Sequence, residues 1–174
     1  MDQEELVAHI EIRQALARYC QGIDRGDAAL IASAYHPGAP DHHGTFDGTA
    51  EQFAAYVVAK FDQPGIVGQH HITNVYAEIA GARARVESYF MVMRPQVGAA
   101  GEDQLVFAGG RYLDRFEQRA GKWLIAERTV VMDWYRPPLS GAAIAREARV
   151  PAPGRREQDP SWEFFAAGRG AGQS

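Results

Sequence analysis

The sequence has little cysteine, no dense run of one charge and no long apolar stretch, although it is 174 residues long. Its one cysteine, Cys20, excludes an internal disulfide. Lys and Arg nowhere form a run that would follow a phosphate backbone, so nucleic acid is not an expected partner. No window is apolar enough to span a bilayer, and the acidic N-terminal segment lacks the pattern of a signal peptide. We therefore expect a cytoplasmic protein without a membrane partner.

The composition is that of an ordinary globular protein, with 46% hydrophobic residues, 23% charged residues and a net charge of −4. This length and composition predict a single folded domain, which we place at residues 1–140. Residues 141–174 are expected to form a partly disordered C-terminal tail. The reason is that residues 151–160 resemble a linker and the chain ends in GRGAGQS.

Apolar residues at helical spacing predict three helices in the first part of the chain. The first covers residues 3–23, the second is a short helix capped by Asp27, and the third covers about 50–61. Asp2 and Thr49 each precede Glu or Gln by three residues, which is the pattern of a capping box at a helix start.

The pattern changes to long strands from about residue 66. Four strands are expected, with turns at Ala80-Gly81 and Ala120-Gly121. The pair Gly109-Gly110 lies in the middle of a strand, which is typical of a bulge that bends a sheet. Helices followed by antiparallel strands predict an α+β fold.

Asp24 and two adjacent histidines are the main candidates for chemistry. Asp24 continues the apolar stripe of the first helix after Cys20, and a carboxylate there needs a partner or a function. His70 and His71 begin the first long strand and point to opposite faces, with Asn74 on the face of His70. The pattern alone leaves open which histidine faces inward. A structural histidine is the simpler interpretation unless Asp24 reaches it.

Three further features have a structural interpretation beside the functional one. Arg128 lies among apolar neighbours, where a structural ion pair and an anion or carbonyl ligand are equally open. Tyr19, five residues before Asp24, is interpreted most simply as a core tyrosine. The segment DHHG at 41–44 belongs to an expected loop, and adjacent histidines there lack metal-site spacing, so no metal is expected.

Several separated motifs resemble the SnoaL-like branch of the nuclear transport factor 2-like superfamily, over residues 5–136. They are ARYCQGIDRGDAALIASAYHP, FDGTAEQFAAYV, QHHITN and GGRYLDRFEQRAGKWLIAERTVVMDW. The resemblance implies a curved antiparallel sheet wrapped with helices into a cone around an apolar pocket. Members that resemble this chain include scytalone dehydratase, bile acid 7α-dehydratase and hexachlorocyclohexane dehydrochlorinase, which are cofactor-free lyases. The resemblance also implies a homo-oligomer, either a trimer or a dimer.

The resemblance assigns roles to individual positions. It implies an acid/base pair of Asp24 and His70, which selects His70 as the inward histidine, and it adds Tyr19 and Arg128 as catalytic positions. Pockets of this kind are mostly apolar with few polar groups. The residues expected to bind substrate are Tyr35, Phe53, Tyr56, Asn74, Phe90 and Trp134.

We therefore expect a cofactor-independent dehydratase for a compact, largely apolar or aromatic hydroxylated small molecule. The alternatives are an isomerase or a carbon–carbon lyase that releases a small aldehyde from the same pocket. A non-catalytic protein that binds a small molecule is a further alternative, because the fold alone does not determine function.

Overall fold

A computed structural model describes residues 2–62, 67–140 and 157, apart from the side chains of residues 137–140. The expected tail at 141–174 therefore lies outside the described residues except for Glu157. The helices and strands are, in chain order, α1 (Gln3–Arg25), α2 (Ala28–Ala32), β1 (Pro40–His43), β2 (Phe46–Thr49), α3 (Ala50–Lys60), β3 (Gln69–Ala80), β4 (Arg83–Val97), β5 (Asp103–Arg119) and β6 (Lys122–Ser140).

All three helices begin at the capping signals present in the sequence, and α1 also ends at a glycine. Asp2 accepts the backbone N–H of Glu5 at 2.8 Å, which caps the start of α1. Gly26 ends the helix in the left-handed conformation, at φ 66°, where glycine has no Cβ penalty. Gly22 lets α2 approach closely, because a Cβ there would lie 2.7 Å from the backbone nitrogen of Ile31. The predicted helices are confirmed, and α1 extends two residues further than expected.

All six strands form one sheet, in the order β2-β1-β6-β5-β4-β3. Neighbouring strands are antiparallel except β1 and β6, which run parallel and pair Asp41 with Arg128. The α+β class is confirmed. The loop expected around residues 41–44 is wrong, since β1 and β2 lie there. These strands have four residues each, too few for an alternating pattern to stand out.

Bulges interrupt the regular alternation of two strands. In β3 the register against β4 shifts between Ile72 and Val75, so that one extra residue lies on β3. In β6 the register against β5 shifts opposite Gly109 and Gly110, as the glycine pair predicts. A Cβ on Gly110 would collide with the carbonyl oxygen of Val131 and lie 2.9 Å from the ring of Phe90. Glycine at this position therefore allows the strands and Phe90 to pack together.

The core lies between the helices and the inner face of the sheet. Helix α1 buries Ala8, Ile12, Leu16 and Tyr19, whereas Ile10 is 54% exposed. Ile10 therefore lies outside the buried stripe of the helix. No helix in the described ranges combines the length and the apolarity needed to cross a membrane.

Candidate active site

A cavity of about 240 Å³ lies between the helices and the inner face of β3–β6. Its walls are mostly apolar, and aromatic side chains from α3 and β4 form part of them. Apolar residues that line it include Ile23, Phe53, Val57, Phe90, Val92 and Val106. Such a concave apolar surface with few polar groups is typical of a small-molecule site.

Asp24 and His70 meet at the wall of this cavity. The ring Nδ1 of His70 lies 2.6 Å from Oδ1 of Asp24. The backbone N–H of His70 donates to Oδ2 of the same carboxylate at 3.0 Å. The carboxylate only accepts hydrogen bonds, so Nδ1 carries the proton and Nε2 is left available to accept one. The side chains are 12% and 14% exposed, so water screens the pair weakly.

The local structure explains why Asp24 and His70 are in contact. Asp24 lies in the last turn of α1, two residues before the Gly26 cap, and α1 packs against β3. His70 is paired with Val92 of β4 and shares the inward face with Ile72, while His71 is exposed. The structure therefore brings together the two residues whose proximity the family resemblance implied.

A second histidine, His43, also lines the cavity. Its Nδ1 lies 3.2 Å from Oδ1 of Asp41, which is fully buried. Oδ2 of Asp41 accepts the hydroxyl of Tyr35 at 2.6 Å, and the His43 ring stacks on Phe53 at 4.3 Å. The cavity thus contains two imidazoles, each held by a carboxylate. The sequence analysis missed His43, although Asp41 and His43 occupy alternate positions that share one face of a strand.

The adjacent histidines of β1 take different partners. His42 is bound through Nδ1 to Asp47 at 2.7 Å on the exposed side, whereas His43 is bound to Asp41. Within the part of the chain that the structure describes, no three His, Cys, Asp or Glu side chains are grouped so that they could hold a metal ion.

Arg128 is fully buried and does not line the cavity. Its guanidinium makes two hydrogen bonds of 2.7 Å to the carboxylate of Asp114, and it lies between the rings of Tyr19 and Tyr112 at 4.1 and 4.0 Å. Burial alone would lower the pKa of Arg128, but Asp114 offsets this and the pKa is well above its ordinary value. The geometry is therefore that of a structural ion pair.

Tyr19 and Tyr35 are also buried in the core and are absent from the cavity wall. Burial raises the pKa of Tyr19, although Arg128 acts in the opposite direction. Its hydroxyl and Nη1 of Arg128 have no hydrogen-bond partner among the described residues. The hydroxyl of Tyr35 donates a hydrogen bond to Asp41. Tyr35, predicted to bind substrate, thus lies behind the cavity wall and contacts Asp41, the carboxylate that holds His43.

The bulges move two predicted residues out of the site. Asn74 lies in the β3 bulge and is exposed, because Val75 rather than Asn74 continues the inward face. Trp134 follows the β6 bulge, is 42% exposed and packs on Phe107, while Tyr135 lines the cavity in its place. The other predicted lining residues, Phe53, Tyr56 and Phe90, do line it.

Comparison with known proteins agrees with this architecture. A model of the SnoaL-like domain matches residues 4–129, whereas no curated protein sequence gives a significant match. A type 2 hexachlorocyclohexane dehydrochlorinase is 17% identical, with a TM-score of 0.71 over 85% of this chain and 99% of that chain. A protein from Novosphingobium aromaticivorans, provisionally assigned as a scytalone dehydratase, is 16% identical, with a TM-score of 0.65 over 78% and 91%.

A protein of unknown function from Mycobacterium tuberculosis is 24% identical, with a TM-score of 0.63 over 75% of this chain and 74% of that chain. At these identities the three structures show a common fold, and they do not by themselves assign a reaction.

Proposed function

The chain belongs to the SnoaL-like family, and from that premise we propose that it is a cofactor-independent lyase that eliminates water from a small hydroxylated molecule. The observation that carries the proposal is the contact between Asp24 and His70 at the wall of an apolar cavity. A histidine oriented by a carboxylate in a partly dry site is suited to proton transfer from carbon.

His70 is the proposed base. Asp24 fixes Nδ1 in its protonated form, so Nε2 accepts the proton that leaves the substrate carbon. The positive charge that develops on the ring is then stabilised by the adjacent carboxylate, and the second hydrogen bond to the backbone keeps the histidine in place. A positioned base of this kind typically contributes about 10²–10⁴ in rate.

His43 is the proposed acid. In its protonated form it is held by Asp41 through Nδ1, and Nε2–H can donate to the hydroxyl that departs. The carbon–hydrogen electron pair forms the new double bond, the carbon–oxygen bond breaks, and the oxygen leaves as water with the proton from His43. Proton exchange with solvent then returns both histidines to their starting states.

The substrate is proposed to be compact and largely apolar or aromatic. The cavity volume of about 240 Å³ sets its size, and the rings of Phe53 and Phe90 offer stacking surfaces to a ring system. Tyr56 lies at the exposed side of the cavity, and its hydroxyl is bound to Lys60 at 2.7 Å. Contacts between the substrate and these lining rings would hold the reacting carbon close to the two imidazoles.

The proposal is tested by incubating the purified protein with β-hydroxy carbonyl compounds and diaryl-propanoid alcohols and measuring water loss by mass spectrometry. His70→Asn is the informative variant, because the amide still donates to Asp24 but cannot act as a base. His71→Asn, at the exposed neighbour, is the matched control.

We expect turnover of at least one compound by the wild type and the His71 variant, and a loss of at least about 100-fold in His70→Asn. Equal turnover in His70→Asn would remove the base from the mechanism. If ligands bind but no compound reacts, the protein is a non-catalytic binder. Release of an aldehyde or a shifted double bond in place of water would instead assign the same site to one of the other two reactions.

A further inference from the structure

Arg94 is a cation on the cavity wall that the proposed proton transfers do not use. It lies on β4 at the same alternate positions as Phe90 and Val92, and all three line the cavity. Its guanidinium carbon stands 3.9 Å from the ring centre of Phe61, and Nη2 donates one hydrogen bond, of 3.2 Å, to Gln96. The side chain is therefore fixed on one flank by an aromatic ring.

Arg94 lacks the carboxylate partner that most neighbouring strand arginines have. On the same sheet, Arg111, Arg115 and Arg128 each pair with a carboxylate at 2.7 to 3.2 Å. Throughout residues 2–62 and 67–136, no carboxylate lies within 4.0 Å of the Arg94 guanidinium nitrogens. Arg94 is half-buried, and burial lowers its pKa. A desolvated guanidinium without an anion is arranged to receive one.

The surrounding charges favour an anion at this end of the cavity. Lys60 lines the cavity beside Arg94, and its ammonium group lies 5.5 Å from the centre of the Phe61 ring that Arg94 covers. Among the described residues that line the cavity, Asp24 is the one carboxylate, and both of its oxygens are hydrogen-bonded to His70. Among the described residues, the hydrogen-bond partners of the two cations are neutral, namely Gln96 for Arg94 and Tyr56 for Lys60.

We propose that Arg94 binds a carboxylate of the substrate, so that the site takes hydroxylated aromatic or alicyclic acids. The planar guanidinium presents paired N–H donors that match the two oxygens of a carboxylate. Lys60, at the exposed rim, adds attraction for the incoming anion. The ring of the acid would then lie towards Phe90 and the imidazoles. The reaction on this substrate rests on the proposed function, but the anion site does not.

Binding of two matched probes tests the inference without a known substrate. Naphthalene-2-carboxylate and naphthalene-2-carboxamide have nearly the same shape and differ in charge. Their affinities are measured by isothermal titration calorimetry on the full chain, at low and at physiological salt. The variants are Arg94→Gln, which removes the charge, and Arg94→Lys, which keeps the charge but removes the paired donors. Arg83→Gln is the control, on the same strand with a side chain 83% exposed.

The wild type should bind the carboxylate at least about 10-fold more tightly than the amide, a preference that weakens at high salt. Arg94→Gln should abolish that preference without changing amide binding, Arg94→Lys should retain part of it, and Arg83→Gln should leave it intact. Equal binding of the two probes by the wild type, binding of neither, or an unchanged preference in Arg94→Gln would overturn the inference.

His70→Asn separates this inference from the proposed function. That variant should lose turnover and keep the preference for the carboxylate, because Arg94 bonds to Gln96 and His70 bonds to Asp24, and no hydrogen bond joins Arg94 to His70 in the described structure. If carboxylate binding persists while no hydroxylated compound loses water, the anion site stands and the lyase proposal fails. If neutral alcohols are dehydrated while the wild type shows no preference for the carboxylate probe, the lyase proposal stands and the anion site fails.

Discussion

Asp24 binds His70 through both oxygens of one carboxylate, one to the ring nitrogen at 2.6 Å and the other to the backbone N–H at 3.0 Å. The two hydrogen bonds fix the side chain and the main chain of the histidine at once. They also connect the last turn of α1 to the start of β3, which are 46 residues apart in the sequence. The orientation of the proposed base is therefore built into the packing of these two elements.

Replacing Asp24 by Asn should reduce turnover by about 10²–10⁴ while leaving the protein folded. The Asn amide can donate to Nδ1 and thereby place the imidazole proton on Nε2, the wrong nitrogen for a base. Steady-state kinetics and urea unfolding measure the two effects. Asp27→Ala, which removes the cap of α2, should cost about 1 kcal/mol without affecting the chemistry. A variant of Asp24 that is several kcal/mol less stable yet fully active would make the pair structural.

His43→Asn should reduce elimination of a hydroxyl group more than elimination of a halide from the same carbon skeleton. A halide leaves without protonation, so it does not need the acid, whereas His70→Asn should reduce both reactions. Tyr19→Phe should change either rate less than about threefold, because its hydroxyl lies in the core and not at the cavity wall. Rates with paired alcohol and halide substrates provide the measurement. A larger loss from Tyr19→Phe than from His43→Asn would transfer the acid role to the tyrosine.

Arg128→Met should destabilise the fold by about 3–5 kcal/mol, because Asp114 would remain buried without its cation. The double variant Arg128→Met with Asp114→Leu should recover much of the loss, since both charges of this ion pair are then removed. Arg83→Met, at an exposed pair 3.7 Å from Glu117, should cost less than about 1 kcal/mol. Denaturant unfolding measures all three. A stable Arg128→Met protein that has lost turnover would support the catalytic role that the family resemblance implied.

Glu51→Gln should lower stability at neutral pH and lose this effect in acid. The carboxylate of Glu51 accepts the backbone N–H of Gly38 at 3.0 Å, and this bond lowers the pKa of Glu51 below its ordinary 4.5. A folded-state pKa below the unfolded one stabilises the fold above the unfolded pKa. That contribution disappears as the pH falls through the folded-state pKa.

The quantity to measure is the difference in unfolding free energy between wild type and Glu51→Gln from pH 7 to pH 3. It should be below about 1 kcal/mol at pH 7, because the group is exposed, and approach zero towards pH 3. A difference that stays constant over this range would show that the charge of Glu51 is not involved.

Local signals in the sequence were sufficient to predict the helices, but not the pair of Asp24 and His70. The caps at Asp2, Asp27 and Thr49 act within a few residues, so helix starts could be predicted from them. The pairing of Asp24 with His70 came from the family resemblance and agrees with the structure. Arg94 could also have been found, since it follows Phe90 at strand spacing and so shares its inward face.

The wrong placement of Asn74 and Trp134 has one cause, which is a change in the alternation of side chains along the strand. A bulge adds one residue and transfers all later side chains to the opposite face. The β3 bulge explains the exposed Asn74, and the β6 bulge exchanges Trp134 for Tyr135. The sequence indicated a bulge at the glycine pair but not which strand carries the extra residue. His43 was missed because β1 is short and pairs with β6, a strand that is distant in the sequence.

The absent side chain at Gly110 has a consequence for how this site could change during evolution or design. The carbonyl oxygen of Val131 and the ring of Phe90 lie in the space that a Cβ would need, so a larger residue at Gly110 would require both the β6 backbone and that ring to move. The position of Phe90 on the cavity wall thus depends on a residue that does not itself line the cavity. A substitution here would therefore alter the cavity wall only together with the pairing of β5 and β6.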